Sequence, residues 1–358
     1  MDATTTKRFE FTGRFGEYFA IWIVNLALSL VSLGIYSAWA KVRNKRYFYG
    51  NTRLDGSSFE YLGNPLAILR GRLIAVGLFV AYGASRYVAP QAQPVLVVVF
   101  VVALPWLVVK GLTFNARNSA FRNVRFGFHG RYGEAALVMV GLPLLALLTL
   151  GLGYPYASYR RHRFIVENSA YGRTAFASDA GARTFYAIYL KALGLALLVM
   201  MAGAAVSGSL VAKLGHLGVP RVAQGAEQLP PEMVLQSVGL APLVMMGLLL
   251  PLYLFLGAYV KAAVMNYIYN TAHLDQHGVC STLSPFPLAW IYLTNLLAAI
   301  CSVGLLTPWA RVRLARYRIE RLALLPGGSL DTFVAAQEAE PSAVGEEVGE
   351  LFDVDLGL

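Results

Sequence analysis

Seven long apolar runs alternate with short polar segments along the chain. Each run is long enough, or nearly so, for a helix that crosses a hydrocarbon core of roughly 30 Å. The pattern therefore predicts an all-α polytopic membrane protein with about seven transmembrane helices. The predicted helices cover residues 18–33, 73–88, 95–114, 135–150, 185–211, 235–265 and 288–306.

A shorter alternating pattern, F-x-[FY]-x-G, comes before several of these runs. It starts at Phe9, Phe59 and Phe126. Alternate aromatic residues ended by a glycine are typical of a short strand with one apolar face, followed by a turn. We therefore expect short β-strand segments at the membrane surface.

A basic and aromatic segment follows three of the apolar runs. It covers residues 34–51 and returns without a gap 117 and 270 positions later, over residues 151–168 and 304–321. The glycine that opens each copy predicts a break after the apolar helix. Arg and Lys beside Trp and Tyr then favour a second helix lying in the head-group interface.

These matches divide the chain into repeats. We expect a first membrane repeat over residues 1–125, made of a one-helix unit and a two-helix unit, a second over 126–277 and a third, partial one over 278–325. The acidic C-terminal tail, residues 326–358, has eight acidic and no basic residues from position 331 onward. Such a composition predicts disorder, and the tail is a candidate binding site for a protein partner.

Two membrane topologies are compatible with the repeats. If every one-helix unit crosses once, the second repeat is inverted and the 30 basic residues divide 19 to 11. If those units dip in and return, only Arg86, Lys213 and Arg221 lie outside, which satisfies the positive-inside rule better. The second topology would bury residues such as Lys41 and Arg43 in hydrocarbon, at about 2.5 kcal/mol or more each. We favour seven crossings, and both topologies place the C-terminus in the cytoplasm.

Composition excludes several functional classes. The chain is 57% hydrophobic with a mean hydropathy of +0.54, which is too apolar for a soluble globule. Its net charge of +10 is spread along helix ends, which favours anionic membrane lipids and disfavours nucleic acid. We find no nucleotide-binding or catalytic motif, so we expect neither an enzyme nor a cofactor. His273, Asp275, His277 and Cys280 are residue types that bind metals, but we interpret them as part of a variable loop and expect no metal site.

Two sets of residues are candidates for binding. The basic residues shared by the three matched segments could bind phosphate or lipid head groups, or they could only anchor helix ends. The candidates for anion or lipid binding are Lys41, Arg43, Arg46, Arg160, Arg163, Arg311, Arg313 and Arg316. Polar residues within the apolar runs could line a transport path, or they could form interhelical hydrogen bonds. The candidates for such a path are Asn25, Lys110, Lys261 and Asn295.

Residues 33–65, LGIYSAWAKVRNKRYFYGNTRLDGSSFEYLGNP, followed by Arg70 and Arg72, resemble the YjgN-like family of bacterial inner-membrane proteins. The chain has Ala38 where the family pattern has proline, although Pro308 restores it in the third copy. The family is a domain of unknown function, so the resemblance implies location and architecture without a substrate.

Two functions remain open. We expect a multi-pass inner-membrane transporter or permease-like protein for a small or lipidic anion. The alternative is a non-transporting membrane organiser that binds anionic lipids and a cytoplasmic partner. A polar cavity reaching the bilayer midplane would favour transport, and basic residues confined to an outer ring would favour the organiser.

Overall fold

Short β-strands alternate with pairs of helices in the computed structural model, which describes residues 6–216 and 231–337. The strands pair antiparallel in chain order, and the first pairs with the last to close a barrel. The ten strands are β1 (Lys7–Phe11), β2 (Thr52–Leu54), β3 (Ser57–Tyr61), β4 (Ser119–Phe121), β5 (Val124–Phe128), β6 (Ser169–Tyr171), β7 (Thr174–Ser178), β8 (Ala272–Leu274), β9 (His277–Ser281) and β10 (Leu322–Leu325).

Five helical hairpins leave the barrel and return to it. Hairpin 1 consists of α1 (Phe15–Val31) and α2 (Ser37–Gly50), hairpin 2 of α3 (Pro65–Val88) and α4 (Gln93–Arg117), hairpin 3 of α5 (Tyr132–Ala136), α6 (Leu142–Leu148) and α7 (Tyr154–Glu167), hairpin 4 of α8 (Ala182–His216) and α9 (Pro231–Thr271), and hairpin 5 of α10 (Pro285–Cys301) and α11 (Thr307–Ile319). A π-helical turn joins α5 to α6. A last short helix, α12 (Leu330–Gln337), follows β10.

The predicted fold class is wrong in two respects. The protein is not all-α, because its strands close a barrel. It also does not have seven membrane-crossing helices: within the described residues, four helices are long and apolar enough to cross. These are Pro65–Val88, Pro90–Arg117, Ala182–Met201 and Leu249–Thr271. The other three apolar runs form shorter helices that end in turns. These turns cannot be recognised from hydropathy alone, because the apolar residues continue through them.

The barrel interior is filled with apolar side chains. Five cross-strand pairs point into it and belong to one cluster, and α12 adds Phe333 and Val334 to the same cluster. The pairs are Phe9 with Leu54, Phe59 with Phe121, Phe126 with Tyr171, Phe176 with Leu274, and Val279 with Leu324. Side chains therefore occupy the space that a wider barrel would leave for solvent.

The Asn-Ser and Asn-Thr pairs explain how a helix passes directly into a strand. The Asn51 side-chain amide donates to the Tyr47 carbonyl at 2.8 Å, and the Thr52 hydroxyl donates to the Phe48 carbonyl at 2.8 Å. Both carbonyls belong to the last turn of α2, where backbone donors run out, although the Tyr47 carbonyl also accepts from the Asn51 backbone N–H at 3.1 Å. Asn118 and Asn168 make the same contact.

The glycine that ends F-x-[FY]-x-G lies against the ring of the aromatic residue two positions before it. A Cβ on Gly13 would lie 2.6 Å from the Phe11 ring, and one on Gly63 would lie 2.5 Å from the Tyr61 ring. Any larger residue would push these rings away. The predicted strands at these motifs are confirmed by β1, β3 and β5.

Five apolar clusters join the hairpins into a ring. Each combines the second helix of one hairpin with both helices of the next, and the last joins hairpin 5 back to hairpin 1. In order, they include Val42, Phe164, Phe185, Leu288 and Tyr18. Each second helix thus belongs to two clusters. We call α2, α4, α7, α9 and α11 the inner ring; the first helices cover its outside and expose apolar side chains.

The three short hairpins, 1, 3 and 5, have similar tips. In hairpin 1, Leu33 and Gly34 adopt positive φ angles of 49° and 91°, and the Ser32 hydroxyl accepts from the Tyr36 N–H at 2.9 Å. The other two tips repeat this arrangement, with Thr149 and Ser302 as acceptors. The predicted break at each glycine is confirmed. The helix that follows each break returns to the barrel.

Candidate functional site

Three inner-ring helices carry an aromatic residue and two arginines along one stripe. On α2, Lys45 donates to Asn115 of α4 at 2.6 Å, so the face with Lys45 points toward the next inner helix. The stripe of Arg43 and Arg46 lies on the other side, between the outer helices. We call the three stripes the collar: Trp39, Arg43 and Arg46; Tyr156, Arg160 and Arg163; Trp309, Arg313 and Arg316.

In hairpin 1 the collar is held by a buried asparagine. Asn25 of α1 is 3% exposed, and its side-chain oxygen accepts from Arg43 at 3.4 Å. The Asn25 amide donates to Asn44 at 3.2 Å, and Arg43 also donates to the Tyr36 hydroxyl. The asparagine therefore spaces the two helices and positions a guanidinium.

Hairpin 5 repeats this arrangement. Arg313 donates to the Thr294 hydroxyl at 2.5 Å and to the Asn295 side-chain oxygen at 3.5 Å, while its guanidinium lies 5.1 Å from the centre of the Trp309 ring. Asn295 in turn donates to the Ala310 carbonyl. Each asparagine proposed for a transport path thus accepts a hydrogen bond from an arginine of its own hairpin.

Hairpin 3 holds its collar with carboxylates. A guanidinium nitrogen of Arg160 lies 3.6 Å from Glu134. Arg163 donates to the Tyr159 hydroxyl and to Glu167, both at 2.7 Å, and these bonds raise the pKa of Arg163. Because both arginines are paired with a glutamate, the net positive charge of the collar is smaller here than in hairpins 1 and 5.

Several candidate arginines join neighbouring hairpins. Arg46 donates to the Tyr61 carbonyl at 3.3 Å, and Arg316 donates to the Gly13 carbonyl at 2.8 Å, each at the strand end of the next hairpin. Arg311 donates to the Tyr18 hydroxyl at 3.3 Å and helps close the ring. Lys41, the remaining candidate, is half-buried on α2. These contacts give the arginines a structural role beside any binding role.

The two candidate lysines lie apart. Lys110 is half-buried on α4 and Lys261 is half-buried on α9, and α7 stands between these helices in the inner ring. Lys110 has no hydrogen bond or ion pair within the described residues. Lys261 instead lies within electrostatic range of Arg318 and Arg161.

Sequence reasoning missed Arg161 and Arg318. Matching the three segments assigns importance to shared residues, and these two have no charged counterpart. Arg161 aligns with Asn44 and Leu314, and Arg318 aligns with Phe48 and Ile165. The signal that could have found them is a basic residue at a position where neither of the other two matched segments has one.

The barrel end farthest from the hairpins carries a charged group around Asp55. Asp55 accepts from Lys7 at 2.6 Å and from Arg122 at 3.1 Å, and Arg122 also pairs with Asp331 of α12 at 2.6 Å. The hydrogen bond from Lys7, followed by the contact with Arg122, lowers the pKa of Asp55 below 3.8. A cavity of about 340 Å³ lies between Arg122 and Val334.

The histidines of β8 and β9 point to different partners. His273 lies 3.7 Å from Asp179, whereas His277 contacts the Phe333 ring and accepts from the Gly327 N–H at 3.3 Å. Within residues 6–216 and 231–337, no three His, Cys, Asp or Glu residues are grouped as a metal ion would need.

A family model described as bacterial protein of unknown function, DUF898, matches residues 6–351. The inner membrane protein YjgN of Salmonella typhimurium is 33% identical over 144 residues, which is 39% of this chain and 36% of the relative. The protein of the same name in Escherichia coli K12 is 32% identical over 149 residues, 40% of this chain and 36% of the relative. These matches span about a third of each relative's length. No solved structure matches the chain.

Proposed function

Because the chain belongs to the bacterial family of unknown function DUF898, and its curated relatives are inner membrane proteins, we propose that it is a multi-pass membrane organiser that binds anionic lipid. The observation that carries the proposal is the collar, in which outward-facing arginines and aromatic residues lie halfway along apolar hairpins. The proposal assigns the protein no catalytic step.

Hairpin length supports two depths of insertion. The α3 helix has 24 residues and is about 36 Å long, enough to cross the hydrocarbon core. The α1 helix has 17 residues and is about 25 Å long, and α2 brings the chain back to the barrel. Hairpins 2 and 4 would therefore cross the bilayer twice each, while the short hairpins would enter from one side and return.

The tips of the short hairpins suit a lipid environment. Leu33 and Leu150 are 95% exposed and Val303 is 93% exposed, at the end of each hairpin farthest from the barrel. Between tip and collar the side chains are mostly apolar. Inserting a tip into one leaflet would remove this surface from water and bring Arg43 and Arg313 to the phosphate level, where guanidinium groups can bind lipid phosphate.

The distribution of charge supports a cytoplasmic barrel. Both ends of every hairpin lie at the barrel, so most basic residues lie near it. Arg86, close to the tip of hairpin 2, is an exception; Lys213 lies in a stretch described by its backbone alone, and Arg221 lies outside the described residues. By the positive-inside rule, this distribution supports a barrel and a C-terminus on the cytoplasmic side. The acidic tail from residue 338 onward, also outside the described residues, would be available there to a protein partner.

The regular closure of the ring supports an origin of the chain by internal repetition. We propose that one module, a strand pair joined by a helical hairpin, was copied within the chain. The shared tips, the shared Asn caps and the five cross-strand pairs of the barrel support this origin.

Lipid retention tests the proposed function. The full-length protein would be reconstituted in vesicles of phosphatidylcholine and phosphatidylglycerol, extracted in mild detergent and analysed for bound lipid by mass spectrometry. We expect phosphatidylglycerol to be enriched several-fold, and the double variant Arg43→Gln, Arg313→Gln to lose most of this enrichment. The double variant Arg8→Gln, Arg53→Gln, an equal loss of charge on the exposed faces of β1 and β2, should retain it. Equal retention by the wild type and the double variant Arg43→Gln, Arg313→Gln would exclude the collar as the binding site.

Transport of an anion is the second candidate function. In its favour, Lys261 lies on the inner side of the ring with two arginines nearby. Against it, the filled barrel leaves no evident exit along the ring axis. Flux of radiolabelled phosphate into the same vesicles separates the two functions: the organiser predicts no flux above empty vesicles, whereas flux lost in Lys261→Gln would support a transporter.

A further inference from the structure

Three helices of the inner ring, α7, α9 and α11, are consecutive in it. One apolar cluster joins α7 to α9 through α8, and another joins α9 to α11 through α10. The outer helices α8 and α10 therefore cover the outside of α9. Side chains of α7 and α11 that approach the same residue of α9 must do so on the inner side of the ring.

Lys261 of α9 is such a residue. It lies within electrostatic range of Arg161 from α7 and Arg318 from α11, and His162 lies within range of Arg161 and Lys261. Counted from the strand that follows each helix, these positions lie about 6 to 16 Å from the barrel. Arg161 and Arg318 thus approach Lys261 from the two neighbouring inner helices, and all three residues are half-buried.

The two arginines differ from those of the collar. Every collar arginine has a hydrogen bond or an ion pair, as described above. Neither Arg161 nor Arg318 has either within the described residues, although both are half-buried. Guanidinium groups removed from water normally acquire a partner, because an uncompensated charge is costly there.

We propose that Arg161, Lys261 and Arg318 form a binding site for a phosphate group on the inner side of the helix ring. Each guanidinium can present two parallel N–H donors to a phosphate, and the lysine adds a compact charge. Tyr269 of α9 lies within range of Arg318 and brings a phenolic group to the same region. The site is separate from the collar, so it does not depend on lipid binding by the outward-facing arginines.

Binding of inorganic phosphate tests the site. The full-length protein in phosphatidylcholine nanodiscs would be titrated with phosphate by isothermal calorimetry, with sulfate-free buffer. We expect saturable binding that the double variant Arg161→Gln, Arg318→Gln weakens about tenfold or more, as the loss of charge-assisted hydrogen bonds implies. The variant Arg161→Lys, Arg318→Lys keeps the charge but not the paired donors, so it should bind with intermediate affinity.

Two controls make the result specific. The double variant Arg8→Gln, Arg53→Gln removes an equal charge from exposed barrel strands, and Arg8→Gln alone removes half of it; both should leave phosphate binding unchanged. If the collar does not bind lipid, only the lipid-retention experiment will show it, because the phosphate titration is made in phosphatidylcholine. The two proposals are therefore tested independently. Absence of phosphate binding in the wild type, or equal binding in the well-folded double variant Arg161→Gln, Arg318→Gln, would overturn the site.

Phosphatidylglycerol distinguishes the sources of the phosphate group. If the site holds a lipid head group, nanodiscs containing this lipid should compete with inorganic phosphate and lower its apparent affinity. If it holds a free phosphate compound, the affinity should be the same in both nanodiscs. In both nanodiscs the double variant Arg161→Gln, Arg318→Gln should bind inorganic phosphate more weakly than the wild type, and equal binding by the two proteins would overturn the site.

Discussion

At the scale of single residues, Gly130 determines how a strand passes into a helix. A Cβ at this position would lie 2.6 Å from the Phe128 ring and 2.7 Å from the Phe164 ring, both of which are buried. We predict that Gly130→Ala lowers the free energy of unfolding by about 1–3 kcal/mol, because two packed rings must move. Thermal unfolding in detergent measures the effect.

Gly133→Ala is the matched control. It lies three residues further, in the first turns of hairpin 3, and a Cβ there meets nothing within 4 Å. Alanine favours helix over glycine by up to about 1 kcal/mol, so this variant should be neutral or slightly more stable. If both variants unfold at the same temperature, the aromatic ring does not restrict the glycine.

Asp55 makes barrel stability depend on pH. Its pKa is lowered in the folded protein, chiefly by the hydrogen bond from Lys7. A lowered carboxyl pKa stabilises the fold at pH values above 3.8, and this contribution is lost as the pH falls below that value. Asp55→Asn should therefore be less stable than the wild type at neutral pH, and the difference should shrink in acid.

The measurement is the unfolding temperature of both proteins across this pH range. Glu60→Gln, which changes an exposed carboxylate on the neighbouring strand, should keep the pH profile of the wild type. A difference between Asp55→Asn and the wild type that stays constant down to strongly acidic pH would contradict the role of this ion pair.

At the scale of elements, α12 closes one end of the barrel. Phe333 stacks on Tyr171 with ring centres 6.1 Å apart and meets His277 at 4.7 Å. We predict that Phe333→Ala destabilises the barrel by about 1–3 kcal/mol, because a half-buried ring leaves the core. Hydrogen exchange of the β6 and β9 amides should then become faster.

Thr332→Ala, on the exposed side of the same helix, is the control and should leave exchange unchanged. Faster exchange in both variants would mean that α12 as a whole detaches readily. Unchanged exchange in Phe333→Ala would mean that the barrel core is complete without the helix.

The sequence predicted local elements better than their arrangement. The strands after Phe9, Phe59 and Phe126 and the breaks at Gly34, Gly151 and Gly304 follow from patterns of a few residues. The barrel does not, because its closure pairs Lys7 with Leu324, far apart along the chain. The collar arginines were visible as repeated charges, whereas Arg161 and Arg318 were hidden because they break the repeat.

At the scale of the whole molecule, the main error concerns topology. Apolar length suggested that the three short helices cross the membrane, and the polar α2, α7 and α11 seemed too charged to return through it. In the structure, Asn25 and Thr294 bond arginines of their own hairpins, and the second helix of every short hairpin returns to the barrel. Both ends of every hairpin lie at the barrel, and we propose that the barrel lies on one side of the membrane.

The central claim, that the whole barrel lies on one side of the membrane, can be measured by cysteine accessibility. Cys280 and Cys301 would be replaced by serine, and single cysteines placed at exposed barrel positions Arg53, Arg125, Ala175 and Gln276, and at Gln91 in the tip of hairpin 2. A membrane-impermeant maleimide should label Gln91→Cys in intact cells, and the four barrel positions only after lysis. Labelling of Ala175→Cys in intact cells, with Arg53→Cys still protected, would contradict this topology and favour inverted repeats.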